Sequence, residues 1–231
     1  MLSVCAMSDL HGYLPEINPC ELVLICGDIV PLSFQGSSKL TYKWFSTTFK
    51  EWAENLPCRK IIFIAGNHEL HFPNHYTEYK KLFNNNSKIT YLCHEGYTYL
   101  GSDEKEYRVF GTPYCKEFGN WAFMLNDKQL GEIFLDIPRK LDILLTHDQP
   151  YMFGDVLLQE DCPWATGSHI GNSPLTLAII VTVPRYQFNG HLHSCDHSEI
   201  IINENTIHYN VSLKDESYQV VYSPLYLEID K

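Results

Sequence analysis

The stretch SVCAMSDLHGYLP, residues Ser3 to Pro15, is the part of this 231-residue chain that first indicates its fold. An apolar run, which predicts a buried strand, ends here on Asp9 and His11. In an extended chain residues i and i+2 point to the same side, so both side chains would face one proton or one ion if the strand continues that far. One such pair does not show whether an ion is bound, so the residues at the other strand ends must be considered with it.

Apolar runs that predict buried strands lie at 2–7, 22–26, 61–65, 109–110, 143–146 and 186–189. Patterns with helical periodicity lie at 37–56, 76–83 and 173–181. In the last of these, Ser173 or Asn172 is the predicted N-cap and Pro174 the first helical residue. Residues 199–229 alternate like antiparallel strands. Strands that alternate with helices predict an α/β fold, in which functional groups gather beyond the carboxyl ends of the strands.

Five apolar runs end in Asp, Asn or His, in the sequences SDLH, CGD, AGNHE, THD and GHLH. The residues concerned are Asp9, His11, Asp28, Asn67, His68, His147, His191 and His193. A single such residue is usually a turn residue or a helix cap, but five strand ends on one predicted edge are hard to explain as turns. Carboxylate, amide and imidazole ligands without thiolate suit Mn, Fe, Zn or Ni better than a structural zinc site. The set is too large for one ion and fits two ions that share a carboxylate.

Composition narrows the class of protein. A net charge of -11 argues against binding to duplex nucleic acid and to anionic membranes. No apolar stretch reaches the ~18 residues of a membrane span, and the first residues lack a secretion signal, so we expect a cytoplasmic protein. The 8 cysteines are scattered without a C-x-x-C pair, which favours buried free thiols in a reducing compartment.

The five motifs, in this order, resemble those of the calcineurin-like metallophosphoesterase superfamily: D-x-H, G-D, G-N-H-E, a strand-end His and G-H-x-H. The resemblance implies one metallophosphoesterase domain over residues 1–231, built as a four-layer α/β/β/α sandwich of two mixed sheets flanked by helices. It implies two metal sites that share Asp28. The ligands would be Asp9, His11 and His193 for one ion, and Asn67, His147 and His191 for the other. Hydroxide shared by the ions would attack phosphorus, and His68 would protonate the leaving oxygen without binding metal.

Differences from other superfamily members narrow the resemblance to one subgroup. Ser/Thr protein phosphatases carry G-D-x-x-D-R-G and L-R-G-N-H-E, whereas this chain has GDIVPLS and FIAGNHE. The stretches RVFGTPYCKEFGNWAFML, IPRKLDILLTHDQP and GSHIGN resemble instead the small phosphodiesterase subgroup of metallophosphoesterase-domain proteins. That subgroup often has T-H-G-P-P where this chain has His147-Asp148-Gln149, a departure that bears on substrate fit and not on the metal site.

The resemblance thus implies a phosphodiesterase that hydrolyses small phosphodiesters, with cyclic nucleotides among its substrates. We expect two divalent ions per chain, with Mn as first choice and Fe, Zn, Ni and Mg as alternatives. Asn67, His68 and His169 are candidate phosphate contacts, and Glu69 is expected to orient its loop by hydrogen bonding. A phosphomonoesterase with the same residues and a catalytically weak scaffold that binds a protein partner both remain as alternatives. The sequence does not indicate the oligomeric state.

Aromatic and histidine side chains outside these motifs are expected to have ordinary structural roles. Most of the aromatic residues after the Gly-Thr-Pro turn, Tyr114, Phe118, Trp121 and Phe123, are expected to pack in the core. The histidines His71, His75 and His94 do not follow predicted strands and are expected in loops or on the surface.

Overall fold

The structure is a computed structural model, and it describes residues 1–156 and 167–231. The strands of these residues are β1 (Leu2–Met7), β2 (Cys20–Cys26), β3 (Cys58–Ile64), β4 (Ile89–Leu92), β5 (Glu95–Leu100), β6 (Glu106–Thr112), β7 (Cys115–Lys116), β8 (Met124–Leu125), β9 (Ile143–Thr146), β10 (Tyr186–Asn189), β11 (Ile200–Ile202), β12 (Thr206–Asn210) and β13 (Leu225–Ile229). The α-helices are α1 (Ser38–Trp44), α2 (Lys50–Asn55), α3 (Tyr76–Asn84), α4 (Asp127–Ile133) and α5 (Ser173–Thr182). A π-helical turn, Phe45–Phe49, joins α1 to α2, and 3₁₀ turns lie at Pro73–His75 and Phe134–Asp136.

The strands form two large mixed sheets and one short pair. The first sheet has the order β13-β1-β2-β3-β4, with β13 antiparallel to its neighbour and the others parallel. The second has the order β11-β12-β10-β9-β6-β5, with antiparallel strands only at its two edges. Strands β7 and β8 form the short pair. The parallel strands of both sheets therefore present their carboxyl ends together, as a strand-end site requires.

Side-chain alternation along the strands builds three apolar cores. In β2, Leu22 and Leu24 pack between the two sheets, whereas Val23 and Ile25 pack against the helices α1 to α3. On the outer face of the second sheet, Leu144 packs against α4 and α5. The resulting order of helix, sheet, sheet and helix confirms the predicted four-layer α/β/β/α sandwich. The assignment of residues 1–231 to one domain stays a prediction.

Most elements lie where the sequence predicts them, with two differences at helices. Asn172 Oδ1 accepts a hydrogen bond from Leu175 N at 2.9 Å, so Asn172 is the N-cap of α5. Pro174 is consequently the second helical residue and not the first. Helix α4 was not predicted, because its seven residues, DKQLGEI, are too few to show a periodic pattern.

Two expectations from composition can be compared with the described residues. None of the helices in residues 1–156 and 167–231 has the length and apolar character that a membrane span requires. The thiols of Cys5, Cys26 and Cys115 are free and buried, as predicted, whereas those of Cys20, Cys58 and Cys93 are free and partly exposed. Cys162 lies outside the described residues.

Candidate metal centre

Five strands deliver polar side chains to one edge of the sandwich: β1, β2 and β3 from the first sheet and β9 and β10 from the second. Ligand atoms of the delivered residues form three sets, and within each set the atoms lie within 4.8 Å of one another. Two sets share no residue and are called the two groups: Asp9, His11 and His193, and Asp28, His147 and His191. These two groups correspond to the two sites that the family resemblance implies.

The backbone that presents these side chains is not extended. Four ligand-type residues have left-handed backbone angles, with φ of 56° at Asp9, 42° at His11, 51° at Asp28 and 69° at His191. Asp9 and His11 therefore converge because the chain turns sharply after the strand. Both side chains face one group, as predicted, but through this turn and not through continued strand alternation. His191 and His193 follow the end of β10 and enter different groups.

In the first group, His193 and Asp9 are in direct contact. The Nε2 atom of His193 lies 3.2 Å from Oδ1 of Asp9. The Nδ1 atom of the same ring donates to the carbonyl oxygen of Asp215 at 2.9 Å, which leaves Nε2 to face the group. Such a hydrogen bond from the far ring nitrogen fixes the orientation of metal-binding histidines.

The second group shows the same arrangement around His147. Its Nδ1 atom donates to the carbonyl oxygen of Cys26 at 2.8 Å. Its Nε2 atom lies 2.9 Å from Oδ1 of Asn67 and 3.4 Å from Oδ1 of Asp28. The amide oxygen of Asn67 thus lies beside the second group, as the family resemblance implies.

Asp28 is the carboxylate that lies between the two groups. Besides His147, its Oδ2 atom lies 3.8 Å from Nε2 of His11, a member of the first group. His11, Asp28 and His68 also form a third set of ligand atoms within 4.8 Å of one another. Asp28 is therefore the side chain placed to contact ions in both groups.

The donor set fits a pair of divalent cations. Both ring nitrogens of His11 are buried and have no hydrogen-bond partner in the described residues, which is costly unless a ligand engages one of them. A Cβ atom at Gly66 would overlap Asp28 Oδ1, and one at Gly190 would overlap Asp9 Oδ2. Only glycine at these two positions permits the carboxylates to lie so close to the backbone.

Electrostatics keep both carboxylates ionised at neutral pH. Burial opposes the charge of Asp28, but the neighbouring His147 outweighs burial and holds the pKa of Asp28 well below its ordinary value. Burial likewise opposes the charge of Asp9, and His193 outweighs it and lowers the pKa. For His11 burial dominates and lowers the pKa to about 4, so its ring is neutral. Ionised carboxylates and neutral imidazole are the forms that bind metal. Despite burial, the carboxylates raise the pKa of His147 to about 10 and that of His193 to about 9, so these two rings would release a proton when an ion binds.

Glu69 shapes the centre without joining it. Its buried carboxylate accepts hydrogen bonds from the backbone N–H groups of Gly66, Asp28, Ile29 and Val30, at 2.6, 3.0, 2.8 and 2.9 Å respectively. These bonds tie the turn after β3 to the turn after β2. The predicted orienting role of Glu69 agrees with this geometry.

His68 lies beside Asp28 but is held by other residues. Its Nε2 atom lies 3.7 Å from Oδ2 of Asp28, and its backbone N–H donates to Oδ1 of Asp28 at 2.8 Å. Its Nδ1 atom donates to Oε1 of Gln35. The ring of Trp121 packs on it with centroids 4.6 Å apart. This contact corrects the expectation for Trp121, whereas Tyr114 and Phe123 pack in the core as expected.

Three neighbours of the centre were not predicted from the sequence. Phe118 is 63% exposed and its ring lies 5.4 Å from that of His191, so it does not pack in the core. The rings of Tyr218 and His11 form a T-shaped contact with centroids 4.9 Å apart. Gln35 follows the G-D motif and Tyr218 follows the last motif along the chain, and no pattern marks either residue. The Gly-Thr-Pro turn was the one signal that pointed to the Phe118 segment.

The remaining candidate histidines lie outside the two groups. His169 Nδ1 lies 2.6 Å from the buried carboxylate of Asp155, and no contact joins His169 to the metal-centre residues among those described. Its predicted contact with phosphate stays a prediction. His75 contacts Glu78 at 3.3 Å and His94 contacts Thr112 at 3.1 Å, in keeping with structural roles.

Comparison with known proteins gives the same family. The family model for calcineurin-like phosphoesterases matches residues 2–195. Human metallophosphoesterase domain-containing protein 1 is 29% identical over 245 residues, which cover 98% of this chain and 70% of the relative. UPF0046 protein C25E10.12 of Caenorhabditis elegans is 26% identical over 233 residues, covering 95% of this chain and 76% of the relative.

Solved structures show the same fold. The crystal structure of TT1561 of Thermus thermophilus aligns with a TM-score of 0.57 at 13% identity, covering 90% of this chain and 88% of the other. A likeness at this identity concerns the fold alone. The family match, which spans more than half of the chain, concerns the chemistry. The chain therefore belongs to the calcineurin-like phosphoesterase family, whose members carry a dinuclear divalent metal site, and it is a metal-dependent phosphoesterase.

Proposed function

We propose that this chain is a phosphodiesterase for small phosphodiesters that carry a planar ring, cyclic nucleotides included. The observation that supports a diester is the surroundings of the two metal groups. Trp121 and Phe118 lie against His68 and His191, so aromatic ring surface borders the centre in two places. A monoester carries one organic group and a diester carries two, so two such surfaces favour the diester.

The proposed ligands are Asp9, His11 and His193 for one ion, and Asn67, His147 and His191 for the other, with Asp28 shared. When bound, two divalent ions supply activated water and neutralise charge on the phosphoryl oxygens. The His147 and His193 rings are oriented by backbone carbonyls, so their Nε2 atoms need no reorganisation to accept an ion. Mn is the proposed metal, and the cytoplasm the proposed compartment.

His68 is the proposed general acid. Because Gln35 holds the Nδ1 proton, the protonated ring has one N–H left, on Nε2, which faces Asp28 and the space between the groups. Transfer of that proton to the departing oxygen leaves a neutral ring that keeps its hydrogen bond to Gln35. General acids of this kind contribute about 10²–10⁴-fold to rate. His169 stays a candidate for phosphate binding within this proposal.

The test is a comparison of esters on one metal-loaded preparation. Bis-p-nitrophenyl phosphate, p-nitrophenyl phosphate and the 2′,3′- and 3′,5′-cyclic nucleotides are assayed with Mn, and kcat/KM is measured for each. We expect diesters to be hydrolysed with the higher kcat/KM. The opposite order would make the chain a phosphomonoesterase, and bound metal without turnover on any ester would favour the scaffold alternative.

A further inference from the structure

The outer face of α5 is apolar where a surface helix is ordinarily polar. Leu177, Ile180 and Val181 are 63%, 46% and 47% exposed, while Leu175 and Ile179 turn into the core. The helix SPLTLAIIVT contains no charged residue. Contiguous exposed apolar side chains of this kind mark interaction surfaces. None of these residues belongs to the metal centre.

Beside α5 lies a groove of about 690 Å³, bounded on its other side by residues 127–139. Leu135, at its edge, is 82% exposed. One surface therefore carries both an apolar groove and an apolar projection. We refer to α5 together with residues 127–139 as the α5 face.

Two charged residues lie at opposite ends of the segment 127–139. Asp127 and Arg139 both line the groove, and neither forms an ion pair with any residue in the described parts of the chain. A two-fold rotation across this segment exchanges its ends. Two copies related in this way bring Asp127 of each copy to Arg139 of the other, and Leu135 of each to the opposite groove.

We infer that the α5 face is a symmetric interface with a second copy of this chain. The face is self-complementary in charge, and it carries both a groove and the exposed Leu135, as a two-fold interface between identical copies requires. A lipid surface fits it less well, since Asp127 and Arg139 would then enter the membrane interface without partners and the net charge of -11 opposes anionic lipid.

The experiment is sedimentation velocity over a range of protein concentrations, with wild type and five variants. Wild type is expected to dimerise. Leu177→Glu is expected to be monomeric, whereas Leu100→Glu, which changes a 61% exposed leucine on β5, is expected to dimerise like wild type. Asp127→Arg and Arg139→Asp should each weaken the dimer by about tenfold or more, since each places like charges opposite one another.

The double variant Asp127→Arg/Arg139→Asp is the decisive one, because it restores opposite charges and is expected to restore dimerisation. Phosphoesterase activity and circular dichroism confirm that each variant is folded. A monomeric wild type, including one that binds neutral phosphatidylcholine vesicles through Leu177, would overturn the inference. So would a dimer that survives Leu177→Glu, or a double variant weaker than either single variant.

Discussion

His68 donates its Nδ1 proton to the side-chain amide oxygen of Gln35, a residue 33 positions earlier in the chain. An amide oxygen is a neutral acceptor, so it fixes the orientation and tautomer of the ring without adding a negative charge beside it. The Nε2 atom is thereby directed toward Asp28. The hydrogen bond thus fixes the ring through Nδ1 and leaves Nε2 as the nitrogen that can transfer a proton.

We expect His68→Ala to keep its metal ions but lose turnover in a way that depends on the leaving group. An alkyl or ribose oxygen leaves as a poor anion and needs the proton most, so its rate should fall by about 10⁴. A p-nitrophenyl group leaves as a stable anion, and its rate should fall by about 10² or less. Measurement of kcat on both substrates, with metal content determined alongside, tests this.

Two results would contradict that assignment. An equal loss on both substrates would make His68 a phosphate-positioning residue. Loss of metal from His68→Ala would make it a ligand.

Gln35→Leu is expected to lower kcat by about tenfold on the ribose substrate, because the His68 ring loses the bond that orients it. KM and metal content should change little. Gln35→Glu, which keeps an acceptor at the same place, should retain more activity. Gln35→Leu combined with His68→Ala should lower kcat no further than His68→Ala alone. An additive loss in that double variant would show that Gln35 acts independently of His68.

Asp28→Asn should cost more activity than the loss of any single terminal ligand. It is the side chain between the two groups, so the change removes charge from both ions. Metal content per chain and kcat are measured for Asp28→Asn and for His11→Ala, after circular dichroism shows both to be folded. Greater damage from His11→Ala would show that Asp28 does not bridge.

His208, on β12, should make the stability of the chain depend on pH. Burial lowers its pKa from 6.5 to about 3, with Asp196 and Asp155 opposing the shift, so the folded chain keeps it neutral. The unfolded chain takes up a proton below pH 6.5. The contribution of His208 to the free energy of unfolding is therefore fully present above pH 6.5. It falls by about 1.4 kcal/mol per pH unit as the pH drops toward 3.

Urea unfolding of wild type and His208→Gln from about pH 7 to about pH 5 measures this, since the neutral variant lacks the proton uptake. The stability advantage of wild type over the variant should shrink as the pH falls. An advantage that stays constant over this range would mean that His208 titrates alike in the folded and unfolded chains.

The site residues can be found from the sequence because they follow apolar strands, and parallel strands bring their carboxyl ends to one edge. The local geometry cannot be found in the same way. The apolar pattern predicts Asp9 and His11 on a continuing strand, but both have left-handed backbone angles. Asp and His occur at turns and strand ends alike, so residue type does not indicate a positive φ here.

Residues that act across the fold are the ones that the sequence does not reveal. Gln35 reaches His68 and Tyr218 reaches His11 only because the fold places distant segments together. The expectation that most of the rings after the Gly-Thr-Pro turn pack in the core does not hold for Phe118, because it relies on the usual burial of aromatic residues in apolar segments. Hydrophobic pattern therefore predicts the layers and the strand ends, while contacts between loops require the structure.

The left-handed angles at Asp9, His11, Asp28 and His191 have a consequence for engineering. Each such conformation in a residue other than glycine costs on the order of 1 kcal/mol. A laboratory selection for heat resistance alone would favour glycine at all four positions, and each substitution would remove one of the proposed metal ligands. Such an evolved chain would drift toward a protein that survives heating and performs no chemistry, so any stability campaign on this scaffold must score turnover in every round.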